Sequence, residues 1–206
     1  MFAGKTLWQV FASGGATMYV LLACSLLSLA VIIDRLWTYW SMTKVKRADF
    51  MKKVQGMMER KERESAIELC RDTNAPFARV ALAGLELRSH EEKLVASTLE
   101  RSVTIQASRL ERLTSIVGTI GNTAVYIGLF GTVLGIIRAF RDISAMGTGG
   151  MAVVIGGVAE ALITTATGLA VAVPSVIAYN YFVRRVDEFV NDMELCASEM
   201  TDLLTH

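Results

Sequence analysis

Charge is what two long stretches of this sequence lack. Between Thr6 and Ile33 there is no Asp, Glu, Lys or Arg, and between Ile143 and Val183 the only charged residue is Glu160. Cysteine is also scarce. Cys24, Cys70 and Cys196 are isolated, with no CxxC spacing, so neither a disulfide framework nor a cysteine metal site is expected. His90 and His206 stand alone in the sequence. No GxxxxGK[ST] loop occurs, which removes the usual phosphate cradle of a nucleotide-driven machine. No cofactor and no metal are therefore expected. The net charge of +1 gives no reason to invoke nucleic acid, because the charges sit in separate segments.

What is present is apolar surface in blocks. The chain is 52% hydrophobic, and uncharged apolar runs of 18 or more residues read as membrane-spanning helices. The reading is an all-α membrane protein with three spanning helices at 18–38, 116–138 and 152–183, joined by long polar extensions. The first run lacks a small-residue cleavage site and is followed at once by Asp34 and Arg35, so it reads as an uncleaved anchor. Trp37, Tyr39 and Trp40 follow it as an interfacial aromatic cluster, and then Lys44, Lys46 and Arg47. The amino-terminal side offers only Lys5. By the positive-inside rule, residues 1–17 and a short loop at 139–151 are periplasmic, whereas 39–115 and 184–206 are cytoplasmic.

The polar block at 39–115 holds most of the lysines and arginines. Ala78, Leu82 and Leu85 recur at helical spacing, as do Leu94, Leu99, Val103 and Leu110. Asn74-Ala75-Pro76 marks a break between helices. The block offers no catalytic constellation, and the chain is not read as an enzyme. Beyond Arg184 and Arg185, the residues Phe189, Met193, Cys196 and Met200 form an apolar stripe that prolongs the third span as an amphipathic helix.

Small residues mark the packing faces of the spans. Gly128, Gly131 and Gly135 in span 2, with Gly168 in span 3, permit close helix approach, and Pro174 is positioned to kink span 3. The Gly131-x-x-x-Gly135 spacing is the clearest of these signals.

Glu160 is the expensive residue. An ionised acid deep in hydrocarbon costs about 2.5–3.5 kcal/mol on insertion scales, which favours an ion pathway inside a bundle. The competing reading is an acid near a helix N-terminus, held by the dipole. At about 100° per residue, Thr164 lies about 40° and Thr167 about 20° from Glu160, while Thr165 lies about 140° away. Thr132 sits mid-span, where its hydroxyl can bond the carbonyl four residues back. With no second charged group in the interior of the spans, a second protein with its own ionisable group is expected to complete an ion path.

The segments GGATMYVLLACSLLSLAVIIDRLW, YIGLFGTVLGI and GVAEALITTATGLAVAVPSVIAYN resemble the ExbB/TolQ/MotA family of ion-driven stator subunits, most closely its ExbB-like members. The resemblance implies a ring-forming homo-oligomer, a pentamer, whose pore holds two spanning helices of an ExbD/TolR-like single-span dimer. It implies proton-driven work on a TonB-like protein and outer-membrane transport, or on another client in a TolQ-like or gliding system. By motif, Thr132 matches the threonine of GLFGT, Glu160 the acid of AEAL, and Thr165 the threonine five residues later. These residues, with Thr164, are the expected pore-lining set. Family members often carry proline where this chain has Val125, which predicts a straighter second helix here.

Overall fold

The computed structural model describes residues 15–87, 91–146 and 150–205. Residues 1–14, His90, His206 and the centre of the expected loop, 147–149, lie outside the described residues. The described residues form six helices: α1 (Ala16–Met42), α2 (Arg47–Glu59), α3 (Arg63–Asp72), α4 (Pro76–Glu86), α5 (Glu92–Met146) and α6 (Gly150–Thr205). Three of them, α1, α5 and α6, contain segments long and apolar enough to cross a membrane. The segment 139–151, expected as a loop, is helical to Met146 and again from Gly150. It lacks a helix-breaking residue until the glycines at its centre.

The chain divides into two compact units, one built from residues up to Ile33 with Ser115–Asn180, the other from Asp34–Thr114 with Tyr181 onward. The first is the apolar unit. Leu21 of α1, Ile120 and Ala124 of α5, and Val171 and Ala172 of α6 form its buried cluster. Ser28 and Ser175 bond across α1 and α6 at 2.7 Å, which satisfies two hydroxyls where water is scarce.

Within this unit α5 and α6 run antiparallel along a seam of small residues. A Cβ on Gly121 would meet Val176, one on Gly128 would meet Gly168, one on Gly135 would meet Ala161, and one on Gly157 would meet Ala139. Gly121, Gly128 and Gly135 are spaced by seven, the repeat that keeps one seam facing a partner in left-handed helix packing. Pro174, expected among the packing residues, is exposed, and the helix runs through it without a break. Its neighbour Ser175 makes the contact instead.

The second unit packs the polar block around a conventional core. Phe50, Val54, Phe77, Val80 and Leu85 are buried together with Phe182, Phe189, Met193, Cys196 and Met200 of α6. The amphipathic stripe predicted for the carboxyl-terminal segment is the face that enters this core. On α5 the buried stripe is Val95, Leu99, Val103 and Leu110, while Leu94 is 43% exposed. Spacings of four from Val95 place that residue, rather than Leu94, on the inner face.

Tyr39 also departs from expectation. Trp37 and Trp40 are exposed, but Tyr39 is buried, with its ring edge-on to Phe182 and Phe189 at 5.6 Å. Its hydroxyl donates to the Leu110 carbonyl at 3.0 Å and lies 3.1 Å from the Thr114 hydroxyl. A buried phenol needs such partners. The break at Asn74-Ala75-Pro76 is present, and Pro76 opens α4 at a position where no backbone N–H is required. At the other end of α4, the Arg63 guanidinium donates to the Leu85 carbonyl at 2.7 and 3.0 Å and also to the Leu87 carbonyl. It thereby satisfies groups that the helix end leaves open.

Candidate functional site

The apolar unit contains a cavity of about 360 Å³, walled by Thr17 of α1, by Gly131, Gly135, Arg138 and Asp142 of α5, and by Glu160, Ala161 and Thr164 of α6. The α5 residues recur at spacings of four, three and four, so they form one helical stripe. Glycine at two of those positions opens the space. Small residues on the facing stripe of α6, Gly157 and Ala161, keep it open.

Glu160 is half-buried in this wall. Thr164, one turn further on, is 1% exposed, with its methyl group set against Gly131. The cavity thus gathers a carboxylate and two threonine side chains with a guanidinium and a second carboxylate, those of Arg138 and Asp142. In the sequence these two stand as charges at the outer end of the second apolar segment. The four-three-four spacing from Gly131 was the available signal, and Thr17 had none.

Thr132 and Thr165 lie elsewhere. They meet each other across the α5–α6 seam, hydroxyl to hydroxyl. Thr132 also reaches its own helix at the Gly128 carbonyl, 3.2 Å away, and crosses to the Ala161 carbonyl at 3.3 Å. Thr165 reaches the same Gly128 carbonyl at 3.2 Å. Close approach at Gly128 and Gly168 makes this pairing possible, because a Cβ on Gly168 would lie 2.7 Å from the Ala124 carbonyl oxygen.

Two hydroxyls sharing two carbonyl acceptors have more than one hydrogen-bonding pattern. Either can donate to the other while the second donates to a carbonyl, so protons can be redistributed by hydroxyl rotation alone. Thr167, on the Glu160 stripe by angle, is committed to the Ile163 carbonyl at 2.9 Å. The four expected residues therefore form two groups. Glu160 and Thr164 share the cavity, and Thr132 and Thr165 share the seam. This separation follows the helical angles, which place Thr165 on a different face from Glu160.

The comparisons with known proteins bear on what these groups are for. The model of the MotA/TolQ/ExbB proton channel family matches residues 72–195, which take in the second and third apolar segments, the α5 and α6 walls of the cavity, and the seam. This chain belongs to the MotA/TolQ/ExbB proton channel family.

Relatives within the family share different extents of it. The chain is 30% identical over 185 residues to the biopolymer transport protein ExbB of Xanthomonas campestris pv. campestris, covering 75% of this chain and 73% of that protein. It is 46% identical over 92 residues to ExbB of Pseudomonas putida, covering 45% of this chain and 28% of that protein. It is also 38% identical over 110 residues to the Tol-Pal system protein TolQ of Pseudomonas aeruginosa, covering 53% and 48%. The chain thus spans under half the length of two of these relatives. Membership, together with the three apolar helices, makes the chain an all-α membrane protein of the proton-channel stator type.

Proposed function

We propose that this chain is an ExbB-type subunit of a proton-driven motor in the inner membrane of a Gram-negative bacterium. Five copies form a ring around two spanning helices of an ExbD/TolR-like partner, and the assembly energises a TonB-like protein for outer-membrane transport. The amino terminus is periplasmic and the carboxyl-terminal helix cytoplasmic, as the Lys44, Lys46 and Arg47 cluster after α1 favours. The observation that carries this reading is the Thr132–Thr165 hydroxyl pair on two apolar helices, with Glu160 little more than one turn away on one of them.

In this account Glu160 and the threonines form one wall of the ion path, and the partner helix brings a carboxyl group that takes up and releases the proton. The ion gradient supplies the work, at about 2.3 kcal/mol per charge per 100 mV. Exposed Leu26, Leu29, Tyr126, Phe130 and Ile177 provide the outward apolar surface that neighbouring copies and lipid would cover.

Purification with the product of the adjacent gene, followed by native mass spectrometry, tests the assembly. A ring carrying a small single-span protein with an aspartate in its span is expected. A monomer that remains active would overturn the pentamer. The similarity to TolQ supports a second reading, with the same mechanism and a Tol-type client. A neighbouring gene for Tol components in place of a TonB-like protein would select it. A non-conducting scaffold is the remaining alternative, and proton flux into liposomes separates it.

A further inference from the structure

The second unit contains a cavity that the proton-channel reading does not use. It measures about 230 Å³ and is lined by Arg35 and Thr38 of α1, Asn74 and Pro76 at the start of α4, Arg79 of α4, and Gln106 and Arg109 of α5. Three arginines thus line one small space from three helices. No acidic side chain lines it.

Like charges are gathered there at a cost that counter-ions would have to offset. Arg35 pairs with its chain neighbour Asp34 at 2.9 Å and lies 5.8 Å from the centre of the Tyr39 ring. Among the described residues, neither Arg79 nor Arg109 has an ion-pair partner. Arg60, Arg63, Arg101, Arg112 and Arg184 of this unit likewise have no ion pair among the described residues, so what marks Arg79 and Arg109 is the cavity they share with Arg35. Three others are paired. Arg47 is held by Asp192 and Glu199, Arg71 by Glu86 and Arg185 by Glu188.

The geometry also has a fixed scaffold. The Asn74 side-chain amide donates to the Ser41 hydroxyl at 3.2 Å, which ties the turn before α4 to the end of α1. Ala75, the N-cap of α4, contributes no side-chain acceptor to the first turn, so the positive end of the helix dipole adds to the arginines.

We propose that this cavity binds a phosphate-bearing anion, held by Arg35, Arg79 and Arg109 at the amino-terminal end of α4. Phosphate fits the donors better than carboxylate does, because three forked guanidinium groups match the several acceptor oxygens of a tetrahedral anion. The phosphate has two possible sources, an anionic phospholipid headgroup and a soluble phosphate. The site lies outside Glu160, Thr132 and Thr165 and does not rest on their role in ion flow.

Thermal denaturation of the purified, detergent-solubilised protein tests the proposal, with phosphatidylglycerol, phosphatidylcholine or inorganic phosphate added in separate titrations. Phosphatidylglycerol is expected to raise Tm more than phosphatidylcholine does. The Arg79→Gln, Arg109→Gln double variant should need about tenfold or more ligand for the same shift. Arg101→Gln, an exposed arginine of α5 outside the cavity, should respond as wild type.

A matching response to inorganic phosphate alone assigns the site to soluble phosphate, and a response confined to phosphatidylglycerol assigns it to a headgroup. Equal shifts in wild type and the double variant would overturn the proposal. So would the absence of any anion-dependent shift. Both arginines are exposed, so the double variant is expected to fold, and its unliganded Tm checks this directly.

Discussion

Replacing Gly168 with alanine is the sharpest test of the small-residue seam that brings α5 and α6 together. The added Cβ would lie 2.7 Å from the Ala124 carbonyl oxygen and 3.0 Å from the Gly128 Cα. Both neighbours are backbone atoms and cannot rotate away. Ordinary contact begins near 3.4 Å, so the helices must separate locally by about 0.7 Å, the difference between 3.4 and 2.7. Overpacking of this kind costs about 1–3 kcal/mol. Alanine returns roughly 1 kcal/mol through its better helix propensity, which leaves a net loss of up to about 2 kcal/mol. Gly56 in α2 is the matched control, because nothing lies within 4 Å of a Cβ built there. Thermal denaturation in detergent should show Gly168→Ala lowering Tm by a few degrees while Gly56→Ala holds or raises it. The same separation would pull Thr165 away from Thr132, so activity should fall with stability. A Gly168→Ala protein as stable as wild type would refute the seam geometry.

Tyr39→Phe removes a hydroxyl bonded to the Leu110 carbonyl and the Thr114 hydroxyl, and should cost about 1 kcal/mol, read as a lowered Tm. Arg63→Ala leaves the last carbonyls of α4 without their guanidinium and should cost about 1–3 kcal/mol, with earlier proteolysis near residue 87 as a second readout. Burial pushes the Cys70 and Cys196 thiols up from 9.0 to about 12, so the fold favours their neutral forms. Their contribution to stability is complete below pH 9 and is lost as pH rises from 9 to 12. A pH series of denaturation midpoints should decline over that interval, and maleimide labelling at pH 8 should stay slow at both thiols until the protein unfolds.

The three apolar segments were legible because lipid-compatible helices announce themselves by length and by missing charge. The amphipathic stripe from Phe189 to Met200 was equally plain, since its spacing of three and four has one structural meaning. Tyr39 was misplaced because an aromatic beside two tryptophans at a span's end carries the composition of an interface. Only tertiary packing against Phe182 and Phe189 shows otherwise. The seven-residue spacing of Gly121, Gly128 and Gly135 was present in the sequence, but the shorter Gly131-x-x-x-Gly135 signal lay over it. For the site, helical angles separated Glu160 from Thr165. They could not say that Thr165 would meet Thr132, because that contact depends on the register of α5 against α6. Arg138 and Asp142 were visible as charges, but their place in the Glu160 cavity depends on that same register.

Proton flux into liposomes is the direct test of the central claim. The chain should be reconstituted with its single-span partner under an imposed pH gradient and membrane potential, and wild type compared with Glu160→Ala and Thr165→Val at equal reconstituted mass. The account predicts a partner-dependent flux in wild type that falls about tenfold or more in each variant, while the assembled ring stays intact. Flux and client output unchanged in both variants would contradict it and leave the chain a non-conducting scaffold.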